Sequence, residues 1–163
     1  MALLAEELVE EWLNRNGFFT IRGIKVGVHE IDLLAVGFED GETICRHIEV
    51  QASLRPVGYI SGIPIKKSSF AVMSQGVEEW VNKKFRLAVK ERLRNELYPG
   101  NWKFELVVHQ VRHEDELKLI EEHGILIHRL DDIVLELSSS KSIFKGASGS
   151  DLLELILLGK TKS

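Results

Sequence analysis

Apolar positions near the start of the chain recur at the spacing of an amphipathic helix. Within residues 3–15 they are Ala5, Leu8, Val9, Trp12 and Leu13. Because a helical turn takes about 3.6 residues, this spacing places them on a single face. Asn16-Gly17 follows the last of them and is typical of a helix end. Residues 3–15 are therefore predicted to form one helix.

Three strand-like segments come next, rich in β-branched and aliphatic residues. They are FFTIRGIKV (18–26), HEIDLLAVGF (29–38) and ETICRHIEVQA (42–52). Between the second and the third lies Asp40-Gly41, a strong signal for a two-residue hairpin turn. The first half of the chain is thus predicted to fold as a helix followed by an antiparallel meander.

The second half alternates between helical and strand-like patterns. A loop rich in Gly, Pro and Ser, SLRPVGYISGIPIKKSS (53–69), precedes a predicted helix over about 75–97 that ends at Tyr98-Pro99-Gly100. Beyond it the patterns predict a strand over 103–111, a helix over 114–124, a strand over 125–130 and a short helix over 131–137. A meander followed by such alternation favours an α/β fold, a mixed sheet flanked by helices in a single domain.

Composition divides the chain into a core and a tail. Residues 1–137 are predicted to form the core, and the Ser/Lys/Gly-rich residues 138–149 a linker. Residues 150–163 would be a C-terminal helix and tail, because SDLLELILLG begins with a serine cap and is apolar. That helix would pack on the domain or on a second copy, which would make a homodimer.

Charge and cysteine usage narrow the function classes. No run of 18 apolar residues occurs, so no membrane-spanning helix is predicted. The net charge of −4 lacks the basic excess typical of nucleic-acid binders, although charges clustered on one face can still set the local potential. Cys45 is the single cysteine, which excludes an internal disulfide and fits a reducing cytoplasm.

The hairpin brings acidic residues together. If residues 40 and 41 form the turn, Asp32 pairs with Glu49 and Glu30 pairs with Gln51, each pair on the same face. Two neighbouring carboxylates repel each other and are costly to bury, whereas a hard divalent cation such as Mg²⁺ would stabilise them. The alternative is a solvated polar face, and a register slip of one residue would separate the pair. The aliphatic surroundings favour a metal site at Asp32 and Glu49.

Four segments in this order resemble the PD-(D/E)XK nuclease superfamily, which includes restriction endonucleases, Mrr-like enzymes and Holliday-junction resolvases. They are the helix with Glu6, NRNGFF, EIDLLAV and IEVQ, within residues 4–53. The resemblance implies a restriction-endonuclease-like fold and Mg²⁺- or Mn²⁺-dependent hydrolysis of nucleic acid, with DNA as the expected substrate. It places the second-motif Asp on Asp32, the (D/E)XK triplet on Glu49, Val50 and Gln51, and the helical Glu on Glu6.

Gln51 departs from the lysine of that motif. An amide can orient a water molecule by hydrogen bonding, but it carries no charge and cannot act as a base. Two hypotheses stay open: an active nuclease in which Gln51 positions water, and a catalytically degenerate relative that binds nucleic acid or a protein partner without cleavage. Lys66 or Lys67 of the loop could supply the missing charge, or both could be solvated.

The predicted helix over 75–97 carries the main concentration of basic residues: Lys83, Arg86, Lys90 and Arg94. Spacings of three and four would place them on one helix face, where they could contact phosphates. A solvated surface face is an equally good interpretation. Arg55 in the loop could also contact nucleic acid. His47 shares a face with Glu49 in the predicted register, and we expect an ordinary polar residue near the surface end of a strand rather than a metal ligand.

Overall fold

In the computed structural model of the protein, the described residues are 2–52 and 70–139. Their helices are α1 (Ala2–Arg15), α2 (Phe70–Phe85), α3 (Ala88–Leu97), α4 (Glu114–Glu122) and α5 (Leu130–Ser139). Their strands are β1 (Phe19–Val26), β2 (His29–Glu39), β3 (Glu42–Gln51), β4 (Trp102–Val108) and β5 (Ile125–Arg129). The predicted loop over 53–69 and the predicted helix over 150–159 lie outside these residues. None of the described helices is long and apolar enough to cross a membrane.

The strands form one mixed sheet in the order β1-β2-β3-β4-β5. The pairs β1–β2 and β2–β3 are antiparallel, while β3–β4 and β4–β5 are parallel. Parallel neighbours need crossover connections, which the helices between β3, β4 and β5 supply. The predicted fold class, a mixed sheet flanked by helices in a single α/β domain, is confirmed.

The hairpin between β2 and β3 has the predicted turn and the predicted register. Asp40 and Gly41 have φ angles of 49° and 82°, and positive values at both central residues define a type I′ turn. The ladder then runs to Leu33 opposite Ile48 and stops one pair before Asp32 and Glu49. Beyond that pair, β2 continues along β1 and β3 continues along β4. We call this divergence the fork, formed by residues 29–32 of β2 and 49–51 of β3.

Helices cover both faces of the sheet, and strand alternation divides the side chains between them. The core beneath α1 and α5 contains Leu8, Val9, Trp12, Leu13, Phe18, Leu33, Ala35, Ile48, Val107, Ile133, Val134 and Leu137. The core beneath α2 and α4 contains Met73, Val77, Val81, Phe85, Leu106, Val108, Leu117, Leu119, Ile120 and Ile125. Each fully buried aliphatic side chain of this kind contributes about 1.5–3 kcal/mol, so both layers anchor the sheet. Successive residues of β3 alternate between the layers, and Glu49 faces the second.

The predicted single helix over 75–97 is wrong, because α2 ends at Phe85 and α3 begins at Ala88. Leu87 has an extended backbone, with φ −62° and ψ 135°. A contact across the break stabilises it: the Nζ atom of Lys90 donates to the carbonyl of Lys84 at 2.8 Å, satisfying an acceptor at the end of α2. The sequence at Arg86-Leu87 contains no Gly or Pro that would signal it.

Candidate functional site

Glu49 is the centre of a buried charged cluster beneath α2 and α3. Its side chain is 1% exposed, and both carboxylate oxygens accept hydrogen bonds. Oε1 lies 3.1 Å from the Nε2 atom of His47 and 3.2 Å from the Nζ atom of Lys90, and Oε2 lies 2.7 Å from the Nζ atom of Lys84. Burial alone would raise the pKa of Glu49, but the hydrogen bond from His47 and the two lysine charges outweigh it and lower the pKa. Glu49 is therefore a stable buried anion.

His47 links Arg94 to Glu49. The Nη1 atom of Arg94 lies 3.0 Å from the Nδ1 atom of His47. A guanidinium can only donate, so Nδ1 is the acceptor and the proton of the neutral ring sits on Nε2, where it donates to Glu49. Burial lowers the pKa of His47 against the opposing effect of Glu49, and the charges of Arg94 and Lys90 add to the lowering, so the ring stays neutral. The ring is 0% exposed, so the predicted place near the surface is wrong.

Asp32 lies at the fork and takes over a backbone role there. Its Oδ2 atom accepts the N–H of Val50 at 2.8 Å, a donor that would otherwise continue the ladder between β2 and β3. Burial and the neighbouring Glu49 carboxylate raise the pKa of Asp32 to about 7, against the opposing effects of the Val50 N–H and Lys84. The predicted pair of Asp32 and Glu49 is not formed in the ladder, but the two carboxylates are near enough for Glu49 to raise the pKa of Asp32.

The other two residues of the predicted site lie at its margins. Glu6, half-buried in α1, has a pKa raised by burial and by Glu30, with a smaller contribution from Glu49. Gln51 is the last residue of β3, half-buried and paired with Val108 of β4. Strand alternation places Gln51 on the same face as Glu49. The fork therefore gathers several acidic groups around one end of β3.

The prediction that Lys83, Arg86, Lys90 and Arg94 share one helix face is wrong. The break after α2 places Lys90 and Arg94 on a separate helix, α3. Lys90 and Arg94 are 2% and 4% exposed and turn inward to Glu49 and His47. Lys83 is exposed on α2, and Arg86, also exposed, donates from Nη2 to the carbonyl of His123 at 2.8 Å. Arg55, like Lys66 and Lys67, falls outside the described residues.

Lys84 is the residue that the sequence analysis missed. Its side chain is 32% exposed, and its Nζ atom contacts the otherwise buried Glu49. Burial would lower the pKa of Lys84, but the Glu49 carboxylate and then Asp32 outweigh it and raise the pKa, so the amine stays charged. A sequence signal exists: Lys84 follows the sheet-facing Val77 and Val81 by seven and three residues. That spacing places a cation on the buried side of the helix.

The donor set can be compared with what a metal ion needs. Mg²⁺ usually keeps several water molecules and is held by one or two carboxylates together with substrate phosphates. Asp32, whose raised pKa shows an undercompensated carboxylate, and Glu49 fit that requirement. In residues 2–52 and 70–139, no group of three or more His, Cys, Asp or Glu side chains could hold a metal. A cation held by Asp32 and Glu49 would therefore need water or substrate oxygens to complete its coordination.

A second buried carboxylate, Glu105 of β4, lies on the opposite face of the sheet. Arg46 binds it through two hydrogen bonds, from Nε at 2.7 Å and from Nη2 at 2.6 Å, and the Nε2 atom of His128 lies 2.7 Å from it. The guanidinium also lies over the rings of Trp12 and Phe18, at 4.9 and 4.8 Å from their centroids. Burial would raise the pKa of Glu105, but His128 and Arg46 lower it.

The fold resembles solved structures, whereas sequence comparison identifies no relative. No protein-family model matches the chain, and no curated protein matches it. The structure of a protein of unknown function, AF1548, superposes with a TM-score of 0.51 at 14% identity, covering 85% of this chain and 67% of that one. A repair endonuclease from Pyrococcus abyssi superposes with a TM-score of 0.38 at 19% identity, covering 75% of this chain and 43% of that one. The first likeness shows the fold alone, and the second is too distant to carry an argument.

Proposed function

We propose that the protein is a metal-dependent nuclease that hydrolyses phosphodiester bonds in nucleic acid, with DNA as its substrate, in the manner of the PD-(D/E)XK superfamily. The observation that carries the proposal is the pair at the fork. Asp32, with a pKa of about 7, sits beside the fully buried anion Glu49. Such a pair gains stability from a divalent cation.

In this proposal each residue has a distinct role. Asp32 and Glu49 hold Mg²⁺ or Mn²⁺, and Glu6 adds negative potential from α1. A bound divalent cation would stabilise charge on the phosphate as a Lewis acid. Gln51, at the end of β3, orients the attacking water through its amide. The buried Cys45, the single cysteine of the chain, suits a cytoplasmic location.

One observation favours a second function, a binding module that does not cut. Both oxygens of Glu49 already accept hydrogen bonds from lysines, so its charge is compensated without a metal. Gln51 adds no charge to the site. A degenerate relative that binds nucleic acid or a protein partner would keep this arrangement and would be independent of Mg²⁺.

The test is a cleavage assay on supercoiled, linear, single-stranded and branched DNA and on RNA, with Mg²⁺ and with Mn²⁺. Wild type would be compared with Asp32→Ala, and with Asp115→Asn as a control that alters an exposed acid of α4. We expect metal-dependent cleavage by the wild type and the control and none by Asp32→Ala. Binding of any of these nucleic acids without cleavage would establish the binding module instead.

The proposed homodimer through residues 150–163 needs its own measurement, because these residues lie outside the described part of the chain. The apolar run in SDLLELILLG motivates it. We expect the full chain to sediment as a dimer and a chain ending at residue 139 to sediment as a monomer. The same monomeric mass for both chains would rule out the dimer.

A further inference from the structure

Two lysines reach Glu49, and their surroundings differ. The Lys90 side chain is 2% exposed, and its Nζ atom is shared between Glu49 at 3.2 Å and the Lys84 carbonyl at 2.8 Å. The Lys84 side chain is 32% exposed, and its contact with Glu49 is the shorter one, at 2.7 Å. Of the two ammonium groups, that of Lys84 can meet a ligand arriving from solvent.

Lys90 also fixes the place from which Lys84 extends. Its hydrogen bond to the Lys84 carbonyl ties the last turn of α2 to the first turn of α3, directly above Glu49. The same ammonium group also donates to Glu49. Lys90 thus holds Glu49 from the buried side of the cluster, while Lys84 adds a second, partly exposed charge to the same carboxylate.

An ammonium group has three donors, and Glu49 accepts one of those of Lys84. The remaining donors can bind a phosphate oxygen while the bond to Glu49 holds the amine in place. Phosphoryl transfer is accelerated mainly by fixed positive charge near the oxygens on which negative charge develops. Gln51, the residue at the motif position, cannot supply that charge.

We propose that Lys84 of α2 contacts the scissile phosphodiester and supplies the positive charge that Gln51 lacks. This inference rests on the proposed nuclease function. The inference assigns the catalytic positive charge to a residue of α2, and not to Gln51 of β3 or to Lys66 and Lys67. Lys84 acts as a charged donor, and no proton leaves it in this step.

The experiment compares the removal of the same charge at three places. Lys84→Ala should lower kcat about 10²–10³-fold and leave KM nearly unchanged, because the contact strengthens in the transition state. Lys83→Ala removes a neighbouring exposed charge and should mainly raise KM through a lost phosphate contact. Lys118→Ala, on the exposed side of α4, is the control and should leave both constants unchanged.

A double variant and a measurement of Mg²⁺ binding distinguish a catalytic role of Lys84 from a purely structural one. Adding Gln51→Lys to Lys84→Ala should recover kcat by about tenfold or more, because it returns the charge to the same end of β3. Lys84→Ala should also keep its circular dichroism spectrum and the thermal shift produced by Mg²⁺. If kcat and the Mg²⁺ shift are lost together, Lys84 only organises Glu49, and the inference is overturned.

The remaining outcomes distinguish this inference from the proposed function. If Lys84→Ala cleaves at the wild-type rate while Asp32→Ala is inactive, the nuclease stands and the role of Lys84 is wrong. If the wild type cleaves none of the nucleic acids with either metal, both proposals fail.

Discussion

Glu49 and Glu105 are buried carboxylates on adjacent strands that face opposite sides of the sheet. Each contacts a histidine and at least one cationic side chain, and each is 1% exposed. They differ in their neighbours. Beside Glu49 stands a second carboxylate, Asp32, whose pKa is raised to about 7. The neighbours of Glu105 are His128 and Arg46, which lower the pKa of Glu105 despite its burial. A buried acid is therefore not by itself a sign of a site. The undercompensated neighbour is the better sign.

The cations differ as well. Arg46 binds Glu105 with two hydrogen bonds and also lies over the rings of Trp12 and Phe18, contacts that restrain its guanidinium. Lys84 contacts Glu49 by a single bond from a flexible, partly exposed side chain. The geometry of the arginine suits a permanent ion pair, and that of the lysine suits an interaction that a ligand can share.

The largest expected effect is a difference in cleavage activity between variants of Glu49 and of Glu105. Glu49→Gln should lower cleavage on the order of 10³-fold, since it removes a proposed metal ligand worth several kcal/mol. Glu105→Gln should leave kcat unchanged when it is assayed well below its melting temperature. Equal losses of activity in the two variants, with both proteins folded, would contradict the distinction between the faces.

The next largest effect is on stability, and here Glu105→Gln should lose more than Glu49→Gln. Glu105→Gln leaves Arg46 buried without its anion, which should cost about 3–5 kcal/mol in the free energy of unfolding. Glu49→Gln also leaves the buried Lys90 without its anion, but it should cost less, because Lys90 keeps its bond to the Lys84 carbonyl, Lys84 can turn to solvent and the repulsion from Asp32 disappears. Urea denaturation of both variants and the wild type measures these differences. A larger loss for Glu49→Gln would show that the Glu49 cluster is the main structural ion pair.

Asp32 and Glu105 should contribute to the pH dependence of stability with opposite signs. Between pH 3.8 and about 7 the folded protein keeps a proton on Asp32 that the unfolded chain has released, so this group lowers the free energy of unfolding as pH rises. Asp32→Asn should therefore stabilise the metal-free protein at pH 8, on the order of 1–3 kcal/mol. Glu105, with a lowered pKa, stabilises the fold above its unfolded pKa and loses that contribution as pH falls.

Denaturation in a chelator at several pH values tests the Asp32 effect, with Asp115→Asn as the matched surface variant. The two variants should differ in slope between pH 4 and 7. Parallel curves would show that Asp32 titrates normally in the folded protein.

The smallest expected effect comes from substituting His47, which donates to Glu49. Glutamine can donate to Glu49 and accept from Arg94, as the neutral ring does, so His47→Gln should keep kcat within about tenfold of wild type. His47→Leu cannot make either bond and should lose more. Equal activity in both variants would show that the contact between Arg94 and His47 has no part in orienting Glu49.

The sequence predicts the hairpin half of the molecule well because its signals are local. Asp40-Gly41 fixes the turn, and the turn fixes the register that brings Asp32 toward Glu49. The extent of the ladder was not predictable, because it depends on an Asp32 side chain replacing a backbone acceptor. Alternation along β3 likewise gives no measure of how deeply His47 is buried.

The helical half was predicted less well because its decisive contacts are distant in sequence. The break between α2 and α3 has no Gly or Pro at Arg86-Leu87, and Lys90 stabilises it by bonding back to Lys84 and across to Glu49. Arg94 meets His47 across 47 residues of chain. A periodic pattern in one helix carries no information on such partners, so it does not reveal that Lys90 and Arg94 are buried while Lys83 and Arg86 stay exposed.

The hydrogen bond from the Val50 amide to Asp32 gives the molecule a natural spectroscopic probe. An amide proton moves downfield when its acceptor becomes an anion, so the Val50 resonance should follow the charge on Asp32. In metal-free protein its titration should have a midpoint near pH 7. A cation that competes with the proton would move that midpoint to lower pH. One backbone nucleus can thus record the arrival of a metal without any substrate, label or turnover.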